Sequence, residues 1–262
     1  MPIEGESMGK IRIAVQLFSV RNDCARDLEG TLKAIADMGY EGVEFAGYYG
    51  RSAEELRSLL DKFGLEVAGS HVSVEAIMED KLEETIRFNK ALGNKYIIVP
   101  WIPESMRNSK EAWLKTAQLF NKVAERLKKE NMYVGYHNHT EEFKKFNGEM
   151  GWDIFAKATS HDVVLQVDVG NAMHGGLSIE EVLDIIRRYP GRIKTIHLKE
   201  YSRKDPNAIL GEGEVRWGEL IRLCQETGGT EWYIVEQESY KYPPMECIKR
   251  CLENLKKIIE NL

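Results

Sequence analysis

Short apolar or β-branched runs recur along the whole chain, each followed by a longer stretch with apolar residues three and four apart. The runs are Ile11–Leu17, Gly42–Phe45, Glu66–Ser70, Lys95–Pro100, Tyr133–His137, Val163–Asp168, Ile193–Leu198 and Trp232–Glu236. Runs of this length bounded by turn residues predict strands. The segments between them predict helices, as in Leu28, Leu32, Ile35 and Ala36, or Leu56, Leu59, Leu60 and Phe63. Ser52 before Ala-Glu-Glu and Ser178 before Ile-Glu-Glu have capping-box spacing, and Gly39, Gly64 and Gly93 stand where helical patterns stop.

One strand plus one helix every ~25 to 40 residues implies a parallel sheet with helices outside it. Eight such units in 262 residues predict an α/β fold, a single (β/α)8 TIM barrel over 1–262, with 1–9 a flexible N-terminal extension. A doubly wound open sheet would want a Gly-rich turn after the first strand. Gln16-Leu-Phe-Ser-Val-Arg21 offers none.

Composition narrows the class. The chain is 43% hydrophobic with a formal net charge of −6, which supplies an ample core and argues against a nucleic-acid partner. Basic pairs such as Lys128-Lys129 and Lys256-Lys257 lie among acids and read as solvated helix faces. Cys24, Cys224, Cys247 and Cys251 form no CxxC pair; Cys247 and Cys251 are one helical turn apart on an expected core-facing stripe. No disulfide framework, secretory signal or ~18-residue apolar span is legible, so the expectation is a soluble cytoplasmic protein with no membrane partner. Homo-oligomerisation is left open, because no self-association patch stands out.

The candidate chemistry lies at the ends of the last four runs. His137, Asp168, His197 and Glu236 close four successive predicted strands. In a parallel barrel those ends converge on the face where active sites form. Alternation puts Gly135, His137 and His139 on one face, Gln166 with Asp168, His197 with Lys199, and Glu236 with Glu238. An Asp, a Glu and two His in one mouth make a divalent-metal site. Four such residues are hard to explain as separate caps, since unpaired buried carboxylates are costly. Glu44, Ser70, His71 and Trp101 fall at the ends of the second, third and fourth strands.

Tyr136-His-Asn-His139 with Glu142-Phe143, Val167-Asp-Val-Gly-Asn171, Ile196-His-Leu-Lys199, Gly211-Glu-Gly-Glu-Val-Arg-Trp217 and Ile234-Val-Glu-Gln-Glu238 resemble the sugar phosphate isomerase/epimerase family. These are xylose-isomerase-like TIM barrels that include tagatose epimerases and inosose isomerases and dehydratases. The likeness runs from Val15-Gln-Leu-Phe-Ser-Val-Arg21 to the last helix. It implies one divalent ion, Mn2+ in first place and Mg2+, Co2+ or Zn2+ otherwise, held by Glu, Asp, His and Glu on strands five to eight. Asp168, His197 and Glu236 match three of those positions; the first is His137 here, with His139 as the alternative. That departure removes one of the two carboxylates that tagatose-type epimerases use as paired acid and base.

The resemblance implies an isomerase or epimerase acting on a keto-sugar or cyclitol, with a proton removed next to a metal-polarised carbonyl through an enediolate. Glu236 is the expected general base as well as a ligand; Lys199, Glu142 or His139 would supply the second proton transfer. Glu44, His71, Trp101, His139 and Arg216 are the expected substrate contacts, with Trp101, Trp217 and Phe18 as stacking surfaces. A single clear carboxylate leaves a dehydratase or lyase on a keto-cyclitol or 3-keto-sugar as the alternative. The acidic loop Gly211-Glu-Gly-Glu214 favours an unphosphorylated substrate, although Arg203, Lys204 and Arg216 flank it. A DNA-repair endonuclease would want a basic face, and a non-catalytic sugar-binding barrel would want no metal. No role is assigned to His161 or His174.

Overall fold

The computed structural model describes residues 10–262; the expected extension over 1–9 lies outside the described residues. Ten strands occur in chain order: β1 (Ile13–Gln16), β2 (Gly42–Ala46), β3 (Glu66–His71), β4 (Tyr96–Val99), β5 (Tyr133–His137), β6 (Lys145–Phe146), β7 (Glu149–Met150), β8 (Val164–Asp168), β9 (Thr195–Leu198) and β10 (Trp232–Val235). Eight of them close a parallel barrel in the cyclic order β1, β2, β3, β4, β5, β8, β9, β10. All eight predicted runs are barrel strands. The extra pair, β6 and β7, is a short antiparallel hairpin turned by Asn147 and Gly148, both at positive φ. Asn-Gly is the dipeptide such a turn demands.

Helices surround the barrel where the 3.6-residue periodicity places them. Those at Ala53–Phe63 and Ile179–Arg188 begin with complete capping boxes at Ser52 and Ser178. Gly39, Gly64 and Gly93 end their helices in the left-handed conformation, which an L side chain adopts only at a cost. Cys247 and Cys251 are both buried on the helix Pro244–Glu260.

The main core lies between the strands' outer faces and the helices. A separate cluster of Ala14, Ala68, Tyr96, Ile98, Val164, Trp232 and Ile234 fills the barrel itself. Above that apolar plug the inward positions turn polar: Gln16, Glu44, Gln166 and Thr195 are all buried. His137, Asp168, His197 and Glu236 come next along the same faces. The interior therefore grades from hydrocarbon to ionisable groups toward the C-terminal strand ends. Register makes this happen, with His137 beside Gln166, Asp168 beside His197, and Gln16 beside Glu44.

Two glycines make room for this arrangement. A Cβ on Gly69 would lie 2.8 Å from Glu44 Oε2, so the missing side chain admits the carboxylate. A Cβ on Gly135 would lie 2.6 Å from Ile98 Cδ1 and 2.9 Å from the Val164 carbonyl oxygen, so only glycine lets β5 sit this close to β8.

Candidate metal centre

His137, Asp168, His197 and Glu236 each turn one donor atom to a common point, with all four atoms within 4.8 Å of one another. Asp168 Oδ2 is 3.7 Å from both His137 Nε2 and His197 Nδ1. His197 Nδ1 is 3.1 Å from Glu236 Oε2. Asp168 is anchored through its other oxygen, which accepts from the Asn171 amide at 2.7 Å and caps the helix Val169–His174. Asn138 holds the same strand end, accepting from the Asp168 amide at 2.8 Å and donating to its carbonyl at 3.1 Å.

Asp168 Oδ2 is buried and has no hydrogen-bond partner. A buried carboxylate oxygen without a hydrogen bond is expensive. A cation among these donors would satisfy it. Two imidazoles and two carboxylates form a mixed nitrogen and oxygen donor set of the kind that holds a divalent ion.

Beneath the four donors, a hydrogen-bonded layer orients both imidazoles. His137 donates from Nδ1 to Gln166 Oε1 at 3.0 Å, which leaves the Nε2 lone pair for a ligand. His197 Nε2 contacts Glu44 Oε1 at 2.5 Å, so Nδ1 is the nitrogen that meets Glu236 and Asp168. Glu44 also accepts from Gln16 and Gln166 at 2.8 Å each, and Gln166 donates to Thr195 Oγ1 at 2.8 Å. His71 joins the layer, 2.7 Å from Gln166 Oε1 and 3.1 Å from Glu44 Oε1. Outer partners of this kind fix the tautomer and basicity of ligating histidines.

The electrostatics divide the two imidazoles. Burial pushes His137 well below the usual histidine range, and the neighbouring His197 and His71 add to this, so His137 is neutral. Burial also opposes charge on His197, but Glu44 and Glu236 outweigh it and hold His197 well above that range. Burial alone would raise Glu236; His197 and then Lys199 overcome it and keep the carboxylate ionised. Glu44 is likewise held anionic against burial by His71 and His197.

A cavity of 490 Å³ opens over the cluster, reaching His137 and Glu236 and walled in part by Phe18, His71, Trp101 and His139. Trp101 is 56% exposed and Phe18 39% exposed at its mouth. His139 Nδ1 is buried without a partner, and its ring lies 5.1 Å from that of His137. Lys199 pairs with Glu238, meets Asn171 Oδ1 at 3.1 Å and stands 3.9 Å from Glu236 Oε2.

Several expected residues stand elsewhere. Both Glu142 oxygens are occupied, one by the Tyr136 hydroxyl at 2.6 Å and the other by the His139 amide at 2.8 Å. Glu142 therefore braces the turn after β5 and does not line the cavity. Arg216 lies outside the mouth, paired with Glu180 and with Glu219 at 3.1 Å. Glu44 sits below the donors, bonded to His197. Trp217 is buried and donates its indole N–H to Glu200 at 2.7 Å. Gln16, Gln166 and Thr195 escaped sequence reasoning as site residues. Their signal was alternation, since each lies two positions before a polar strand end or closes an inward-facing set.

Comparison with known proteins gives the family and agrees with the fold. Residues 32–260 match the family described as xylose isomerase-like TIM barrel. The chain is 24% identical over 270 residues to an inosose dehydratase of Serratia proteamaculans, covering 87% of this chain and 90% of that protein. A crystal structure of a sugar phosphate isomerase/epimerase from Parabacteroides distasonis superposes with a TM-score of 0.81 at 20% identity, covering 97% of each chain. A D-allulose 3-epimerase from Methylomonas sp. superposes with a TM-score of 0.71 at 12% identity, over 95% of this chain and 98% of that one.

Proposed function

The chain belongs to the xylose isomerase-like TIM barrel family, and on that footing we propose that it is a divalent-metal-dependent isomerase or epimerase of an unphosphorylated keto-sugar or cyclitol. The observation that carries this reading is Asp168 Oδ2, buried without a hydrogen bond and 3.7 Å from two imidazole nitrogens at the base of an open cavity. His137, Asp168, His197 and Glu236 would hold the ion, with Mn2+ the first choice. When bound, it would polarise a substrate carbonyl and stabilise negative charge on its oxygen.

The chain's own groups account for the rest. Glu236, ionised and at the cavity floor, takes the proton from the carbon beside the carbonyl. His139, half-buried at the cavity wall, returns a proton through the exposed part of its ring to the other face or the neighbouring carbon. Lys199, paired with Glu238 and 3.9 Å from Glu236, steadies negative charge at the cavity floor. Trp101 and Phe18 offer apolar faces to the ring. The four free, buried cysteines suit a reducing compartment, so the cytoplasm belongs to the proposal.

A second reading, dehydration, has its own support. β5 ends in His137 where paired-carboxylate epimerases have an acid, and several relatives are named inosose dehydratases. Elimination needs one base and one proton donor to the leaving hydroxyl, which Glu236 and His139 supply. Incubating keto-sugars and keto-cyclitols with protein and Mn2+ in D2O separates the two. A deuterated isomer supports the first reading; loss of water with a new enone or diketone supports the second. If no candidate exchanges a proton or loses water with metal present, both fail.

A further inference from the structure

A second cavity of 610 Å³ adjoins the first, and the two share His71, Val72 and Ser73. It opens between Gly47 and Tyr48 after β2, the segment after β3, and the helix Glu79–Leu92. Its apolar wall is an aromatic pair, Tyr48 and Phe88, with ring centroids 4.2 Å apart. The wall is held from behind. The Tyr48 hydroxyl meets Asn89 Oδ1 at 3.2 Å, and Asn89 is fixed by the Thr85 carbonyl at 2.9 Å and by Asn94 at 2.8 Å. Lys81 and Glu84 stand at the rim, both exposed.

This chamber holds no cluster of ionisable groups suited to chemistry, yet it adjoins one that does across His71, Val72 and Ser73. The first cavity alone falls within the ~300–1,000 Å³ range that encloses a complete small ligand, so one sugar ring does not require the second. Charge argues against a phosphate there. Glu79 and Asp80 occupy the first turn of the helix, and Glu84 lies at the rim opposite a single lysine. A held aromatic wall with mixed polar edges instead suits a neutral ring.

The geometry points to a subsite for a second ring: the substrate is a glycoside whose keto-sugar lies over Glu236 and His137 and whose attached sugar or aryl group lies against Tyr48 and Phe88. This rests on the keto-sugar reading above and narrows its substrate class. The test is calorimetric titration of the full chain with Mn2+ present, using methyl 3-keto-glucoside, 3-keto-maltose and 4-nitrophenyl 3-keto-glucoside. At least one two-ring ligand should bind about tenfold tighter than the methyl glycoside, the gain expected from about 1.4 kcal/mol of added contact. The disaccharide and aryl arms show which ring the chamber takes.

Glu84→Trp, at an exposed helical position on the rim, should obstruct the chamber and erase that advantage while leaving the methyl glycoside's Kd unchanged. Phe88→Ala should do the same by removing the wall, with a melting curve to show that the barrel is intact. Equal affinity of all three ligands for the wild type, or equal weakening of all three by Glu84→Trp, overturns the subsite alone. Binding of none of them overturns the glycoside subsite, and the D2O incubation with free keto-sugars and keto-cyclitols then decides the keto-sugar reading separately.

Discussion

Asp168 separates stability from function at a single atom. Its Oδ1 caps a helix while its Oδ2 has no hydrogen bond. Asp168→Asn keeps the cap and removes the buried charge. The metal-free variant should melt no lower than wild type, while metal affinity, read by competition with a chelating dye, should fall more than about 100-fold, beyond the 10–100-fold typical of an outer partner. His197 brings a pH signature. Glu44 and Glu236 raise its pKa against burial, so a proton competes with the ion at every pH below that raised value. Metal affinity should therefore keep climbing through neutrality and not level off near the ordinary ~6.5. Uptake at neutral pH should release about one proton, visible as a dependence of the binding heat on buffer ionisation enthalpy. Glu44→Gln removes the anion below His197, so the plateau should arrive at lower pH and the proton release should shrink.

At the scale of elements, strand spacing governs the site. Gly135 lets β5 approach β8 closely enough to set His137 beside Gln166. Gly135→Ala would push into the Val164 carbonyl, which is backbone and cannot rotate away. The expected cost is about 1–3 kcal/mol of stability, read by denaturant unfolding, together with weaker metal binding because β5 carries His137. The helix starts behave locally by contrast. Ser52→Ala should cost about 1 kcal/mol and leave metal affinity untouched, since its capping box lies on an outer helix. The elements themselves were legible because period-two and period-3.6 patterns are local. The β6–β7 hairpin escaped because strands of two residues carry no periodicity, although Asn147-Gly148 marked the turn.

At the scale of the whole molecule, the ionisable cluster lies at one end of a closed barrel, and ligand binding there should stabilise everything around it. Mn2+ at about 1,000 times its Kd should add about 4 kcal/mol to unfolding, seen as a raised Tm that a chelator reverses and Asp168→Asn lacks. No helix among the described residues is long and apolar enough to cross a membrane. With a net charge of −6, the protein should not be retained on duplex DNA at physiological salt, where binding depends on neutralising phosphates; retention measured by filter binding would reopen the endonuclease class.

Alternating apolar and polar positions by themselves determined eight strands, their helices, the parallel barrel and the strand ends where acids and histidines collect. They did so because periodicity and capping act over a few residues, and because eight strand–helix units in a chain of this length have few ways to close. Which groups touch was decided only by the tertiary structure. Gln16 and Glu44 are 28 residues apart, Gln166 and Glu44 122, and His197 and Glu44 153. Barrel register, which no local pattern encodes, joins them into the layer beneath His137 and His197. The same closure left Asp168 Oδ2 without a hydrogen bond, turned Glu142 toward Tyr136 and the His139 amide, kept Arg216 outside, and opened the second chamber beside His71.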